Sequence, residues 1–188
     1  MAKTVAFIYG FTEGKWHGHR FRKALQDKGY EIVYNPRVAD VIIAHSGGCY
    51  HVPIDLRHDQ QVLFINPTYW PGKPLLFRAF KMFGQLVLAV RLGNHPLYQL
   101  QKTAHNLWYL VWHADSNRDM VKRAKKFELP VEIKHRHTTL VRNQHDPWLT
   151  PDLDDLKKLN KNLRIVHMPG WHDHCWEFPE QYLHLIQS

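Results

Sequence analysis

Apolar residues in this chain fall into short unbroken runs set between polar turns, and switch to helical spacing in one long central stretch. Thr4-Val5-Ala6-Phe7-Ile8-Tyr9, Asp40-Val41-Ile42-Ile43-Ala44, Gln61-Val62-Leu63-Phe64-Ile65-Asn66 and Leu163-Arg164-Ile165-Val166-His167-Met168 are compact, β-rich runs. They read as buried strands. Tyr30 to Tyr34, broken by Pro36, and Thr138-Thr139-Leu140-Val141-Arg142 read as two more. Between the first two runs, Gly18 to Lys28 carries Phe21, Ala24 and Leu25 on one helical face, with Gly29 as a stop. Strands separated by crossovers of this length predict an α/β fold, a mostly parallel central sheet with flanking helices.

From about residue 73 to 127 the pattern is helical. Leu76, Phe80, Phe83, Val87 and Val90 recur at helical spacing until Gly93 and Pro96 interrupt. Leu97, Leu100, Ala104, Leu107 and Val111 mark a second helix, and Ser116 with Asp119 has the spacing of a capping box opening a third. These helices read either as a cap inserted over the sheet or as plain cover for it. Thr150-Pro151 opens a further helix, with Asp152, Asp154 and Asp155 early and Lys157 and Lys158 late, as the helix dipole prefers. Pro179 begins a closing helix with Tyr182, Leu185 and Ile186 inward. The whole reads as one domain over 1–188.

Composition narrows the classes. At 188 residues, 44% apolar and 22% charged, the chain has the balance of a globular domain with a real core. No run approaches membrane-spanning length. The N-terminus passes directly into an apolar run too short for a signal peptide, so a cytoplasmic protein is expected. Cys49 and Cys175 alone make neither a disulfide framework nor a four-cysteine zinc site. The formal charge of +8 and fifteen histidines suit an anionic partner, a solvated surface being the plainer reading. Nothing resembles a base-reading helix or a stacking platform, which argues against nucleic acid. Action at a lipid surface through the Leu75–Leu92 helix stays open, and so does the oligomeric state.

The candidate chemistry starts at His45-Ser46-Gly47-Gly48, where a buried strand runs into a sharp, glycine-rich turn with a serine at its apex. A neutral serine hydroxyl needs a base to take its proton, an acid to orient that base, and donors for the developing oxyanion. Ser46, Asp146 and His172 occur in that order, each after a predicted strand, so all three can gather at one sheet edge. His174 competes with His172, and Asp115 with Asp146. Asp173 is read as a structural neighbour of the histidine loop. His172-Asp173-His174-Cys175 invites a metal reading, but adjacent side chains rarely converge on one ion, and no metal is expected.

These residues carry a resemblance to the α/β-hydrolase superfamily, in size to its small single-domain serine hydrolases. Ala44-His45-Ser46-Gly47-Gly48 is similar to the G-x-S-x-G elbow, with Ala44 in place of the first glycine. Asn143-Gln144-His145-Asp146 stands in the place of the acid loop, and Gly170-Trp171-His172-Asp173 in that of the final histidine loop. Phe7-Ile8-Tyr9-Gly10-Phe11 occupies the place of the first oxyanion loop, with Tyr9 where a histidine is common. After the elbow, Pro53 shortens or delays the helix that usually follows.

The resemblance implies that Ser46 attacks an acyl carbon, His172 shuttles the proton, Asp146 holds the imidazole, and the N–H groups of Gly47 and Phe11 bind the oxyanion. It implies a serine hydrolase acting on an ester, thioester or amide through an acyl-enzyme, with no cofactor. Tyr69, Trp70, Trp108 and Trp112 are candidates to line an apolar acyl pocket, although aromatics of this kind are more often plain core. The aromatic insertion tilts the expected substrate toward a small-molecule ester with an apolar acyl group. The alternative is an inactive binding protein on the same scaffold, taking an anionic partner. The mechanism needs contact from Ser46 to His172 and from His172 to Asp146.

Overall fold

The computed structural model describes residues 2–10, 13–14, 16–68, 137–146 and 163–186, together with positions 87, 90, 91, 97, 100, 101, 104, 122 and 129 taken singly. Phe11, Tyr69, Trp70, Trp108, Trp112 and Asp115, the helix expected after Thr150, and most of the 73–127 insertion lie outside the described residues. Within that insertion Val87, Val90, Leu97 and Leu100 are helical, as their spacing predicts, and exposed.

Among the described residues six strands form one sheet: β1 (Thr4–Ile8), β2 (Glu31–Val33), β3 (Val41–His45), β4 (Gln61–Ile65), β5 (Thr138–Asn143) and β6 (Arg164–Met168). Every pairing is parallel, in the order β2-β1-β3-β4-β5-β6. All five residues of β3 and of β4 are buried, because both faces of a parallel sheet are covered. The unbroken apolar runs still divide by alternation. Val5, Val41, Ile43, Leu63, Ile65 and Val141 face one layer, and Ala6, Ile42, Ala44, Val62 and Phe64 the other.

The first layer is filled by α1 (His19–Asp27) and the C-terminal segment. Phe21 and Leu25 of α1 are fully buried there, each contributing about 1.5–3 kcal/mol by burial. Gly29, at φ 84°, ends α1 in the left-handed conformation that glycine adopts freely. The loop expected after His172 contains a single helical turn, α2 (His174–Glu177), before a 3₁₀ helix over Pro179–Leu185. This turn drives Trp176 into the core against Phe7 and Phe21. Tyr182, Leu185 and Ile186 point inward as expected. On the second layer the elbow is followed only by a 3₁₀ stretch over Ser46–His51, in keeping with Pro53.

Strand order sets the position of the site. The chain leaves β1 toward β2 on one side and returns as β3 on the other. The C-terminal ends of β1 and β3 therefore border the crevice where the winding direction reverses, which is where open α/β sheets bind ligands.

Candidate active site

Ser46 is the first residue beyond β3 and has φ 54°, a left-handed backbone unusual outside glycine. Such strain is held by its surroundings. A Cβ on Gly48 would stand 2.5 Å from the carbonyl oxygens of both Ile8 and Tyr9, so this turn is pressed onto the end of β1. A Cβ on Gly10 would stand 2.7 Å from that of Ser46. Glycine at positions 10 and 48 is what lets the two turns touch. Ala44, in place of the elbow's first glycine, is accommodated as a fully buried residue.

Asp146 and His172 come together. The ring Nδ1 of His172 donates to Asp146 Oδ2 at 2.9 Å, and both side chains are buried. Burial by itself disfavours the imidazolium, but the Asp146 carboxylate outweighs it and raises the His172 pKa to about 9. The two loops are stapled to each other, with Gln144 N–H donating to Met168 O at 2.9 Å and His145 N–H to Gly170 O at 3.0 Å. Gly170, at φ 107°, packs where a Cβ would strike the His174 ring at 2.3 Å. His174 is turned toward Gln181 Oε1, at 3.1 Å, and packs on Trp171 and Phe178. His172, not His174, therefore faces Asp146.

Ser46 does not meet His172 by a hydrogen bond in this structure. Its hydroxyl shares a 2.8 Å hydrogen bond with Thr68 Oγ1, beyond the end of the neighbouring strand β4. Of the two contacts that the sequence reading requires, one is present and the other is replaced by a serine–threonine pair. Gly47 is buried within the turn.

Several residues at the site escape the sequence reading. Asn66, also left-handed at φ 48°, donates from Nδ2 to the His172 carbonyl at 2.6 Å. Its Oδ1 accepts from Asn143 N–H at 2.9 Å. Asn143 Nδ2 donates to Trp171 O at 2.5 Å, and Tyr182 O–H donates to Asn143 Oδ1 at 2.9 Å. Behind Ser46, His45 contacts Glu13 at 2.6 Å through Nδ1 and the His172 carbonyl at 2.8 Å through Nε2. One signal could have exposed His45: a histidine closing a strand buried on both faces must find polar partners inside the protein. Glu13, in a glycine-flanked loop, carries no such local mark.

Possible ligand atoms of His45, His172 and Asp173 lie within 4.8 Å of one another, a different group from the adjacent His172–Cys175 run weighed from the sequence. Both nitrogens of His45 already face oxygen acceptors, and Nδ1 of His172 is held by Asp146. The donor set is that of a hydrogen-bond network rather than a metal cage. Cys49 and Cys175 are free and buried. Burial raises both thiols above their usual range, which keeps them protonated. No described helix is long and apolar enough to cross a membrane.

No protein-family model matches the chain, and no curated protein matches it by sequence. Solved structures do match. An α/β-hydrolase enzyme from the sediment metagenome of the Mar Chica lagoon, Morocco, superposes with a TM-score of 0.53 at 13% identity, covering 98% of this chain and 89% of that one. Epoxide hydrolase I of potato (Solanum tuberosum) gives 0.54 at 12% identity over 96% and 90%. The thioesterase domain of the curacin biosynthetic pathway gives 0.54 at 12% identity over 98% and 91%. Parallel strand order, a left-handed serine at the switch point and agreement with these structures lead to one conclusion: this chain has the α/β-hydrolase fold.

Proposed function

We propose that the protein is a serine hydrolase that cleaves an ester, thioester or amide through an acyl-enzyme. The observation that carries this reading is the convergence, at one sheet edge, of a strained Ser46 turn with a buried His172–Asp146 pair. In the proposed reaction, His172 Nε2 accepts the Ser46 hydroxyl proton as Oγ bonds to the acyl carbon. The carbonyl π electrons move to oxygen, where the N–H groups of Gly47 and Phe11 are the proposed donors. The imidazolium then protonates the leaving group as its bond to carbon breaks, and water repeats the sequence to release the acid. Asp146 keeps Nδ1 protonated, so that Nε2 is the basic nitrogen.

For attack in this scheme, the Ser46 hydroxyl gives up its Thr68 partner and bonds to His172. Esters with an apolar acyl group are the proposed substrates, with Tyr69, Trp70, Trp108 and Trp112 as pocket residues under a helical cap. The chemistry requires no cofactor. The test is labelling by an alkyl fluorophosphonate: wild type reacts and Ser46→Ala does not. A folded wild type that resists the probe leaves the scaffold without this activity and favours a binding role.

A further inference from the structure

The acyl-transfer scheme makes no use of Glu13, yet its carboxylate is densely partnered. It accepts from Gly10 N–H at 2.6 Å and from Trp176 Nε1–H at 2.9 Å, and lies 2.6 Å from His45 Nδ1. The side chain of Glu13 is 5% exposed and that of His45 fully buried. On the far side of the ring, His45 Nε2 meets the His172 carbonyl. Carboxylate and carbonyl oxygens only accept, so an acceptor at each nitrogen calls for a proton on both. Two N–H donors and the facing His45 ring keep Glu13 ionised. His45 is thus an imidazolium balanced by Glu13. At Nδ1 the 2.6 Å contact with Glu13 is an ion pair rather than a formal hydrogen bond.

The electrostatics agree. Burial pushes His45 toward neutrality, but Glu13 reverses this and the pKa stands at about 10, with Cys175 adding in the same direction. The His172 ring, 4.8 Å away, and Asp173 complete the titratable surroundings of His45.

We propose that Glu13 and His45 are positioning residues, a buried ion pair that fixes the His172 backbone and the Gly10 turn against Ser46 and so sets the reach of the proton-accepting imidazole. Three loops meet in the pair. Glu13 holds Gly10, which abuts Ser46; His45 is covalently joined to Ser46; and His45 shares with Asn66 the task of pinning the His172 carbonyl. This proposal rests on the acyl-transfer reading above.

The experiment combines ring-nitrogen NMR of wild type at pH 8 with fluorophosphonate labelling and p-nitrophenyl butyrate hydrolysis of wild type, Glu13→Gln, His45→Ala and His45→Gln. Both His45 nitrogens are expected to be protonated. His45→Ala should lower kcat by about 100-fold with KM little changed, the cost of a misplaced catalytic group. His45→Gln, which restores a neutral N–H near the Nε2 position, should recover most of that loss. Glu13→Gln, nearly isosteric and the variant expected to fold best, should fall between. A neutral His45 at pH 8, or folded variants labelled at the wild-type rate, overturns the proposal while leaving the acyl-transfer reading intact. A wild type that resists the probe overturns that reading first.

Discussion

The hydroxyls of Ser46 and Thr68 share a hydrogen bond of 2.8 Å across the ends of β3 and β4. It occupies the hydroxyl that the proposed reaction needs free. A neutral hydrogen bond is worth about 1 kcal/mol net. Thr68→Val should therefore speed fluorophosphonate labelling about fivefold while lowering the thermal midpoint by about 2–4 °C. Labelling ten times slower than wild type would mean instead that Thr68 orients the attack.

The His172–Asp146 pair predicts that the proposed reaction runs best at alkaline pH. In the proposed reaction His172 serves as base only when neutral, and its pKa is about 9. Labelling should rise about tenfold per pH unit below that point and level off above it. In Asp146→Asn the cation loses its carboxylate and burial prevails, so the rise moves to lower pH. The plateau rate should fall by about 10⁴-fold, through loss of the correct tautomer. A pH–rate profile of both proteins checks each part.

Stability should also fall on the alkaline side. The folded-state pKa values of His45 and His172, about 10 and about 9, lie above the usual histidine value. Their contribution is fully present below about 6.5 and is lost as pH rises through 9 and 10. The raised thiol of Cys175 acts in the same direction. On the acid side, Asp40 is held low by Thr4 N–H and Oγ1–H. Glu13 is held low by His45 against its burial. Their contribution is present above the ordinary carboxylate pKa and lost as pH falls through the depressed values. Thermal midpoints from pH 3 to 10 should trace a dome, and His45→Gln should flatten its alkaline limb.

Gly48→Ala should be among the costliest single-methyl changes in the chain. The added carbon meets two backbone carbonyls at 2.5 Å, and neither can move without shifting β1. A cost of about 3 kcal/mol is expected, the upper end of overpacking. That corresponds to a fall of about 6–12 °C in Tm. Calorimetry decides it, and a variant as stable as wild type would show that the elbow and β1 can separate.

The parallel sheet was legible because each strand is a short apolar run closed by a turn residue. Every described strand lies within two residues of its expected bounds. The His172–Asp146 pair was legible for a related reason: both follow strands in one parallel sheet, so both emerge at the same edge. The single-turn helix at His174–Glu177 was not, since four residues carry no period. Nor was the Ser46–Thr68 bond, because a side-chain rotamer is chosen by neighbours that are remote along the chain.

Taken alone, the order of residues determined the α/β class, the strand sequence, the elbow at Ser46 and the loops that would carry an acid and a histidine. Burial periodicity and turn chemistry are local properties, so they can be read from neighbours along the chain. Tertiary structure alone decided that β1 lies between β2 and β3, which puts Ser46 where the winding of the sheet reverses. It also decided that Glu13 enters the interior to meet His45. A charged side chain in a loop is ordinarily solvated. What takes this one inside is a set of three partners drawn from Gly10, His45 and Trp176, and only the folded chain brings them together.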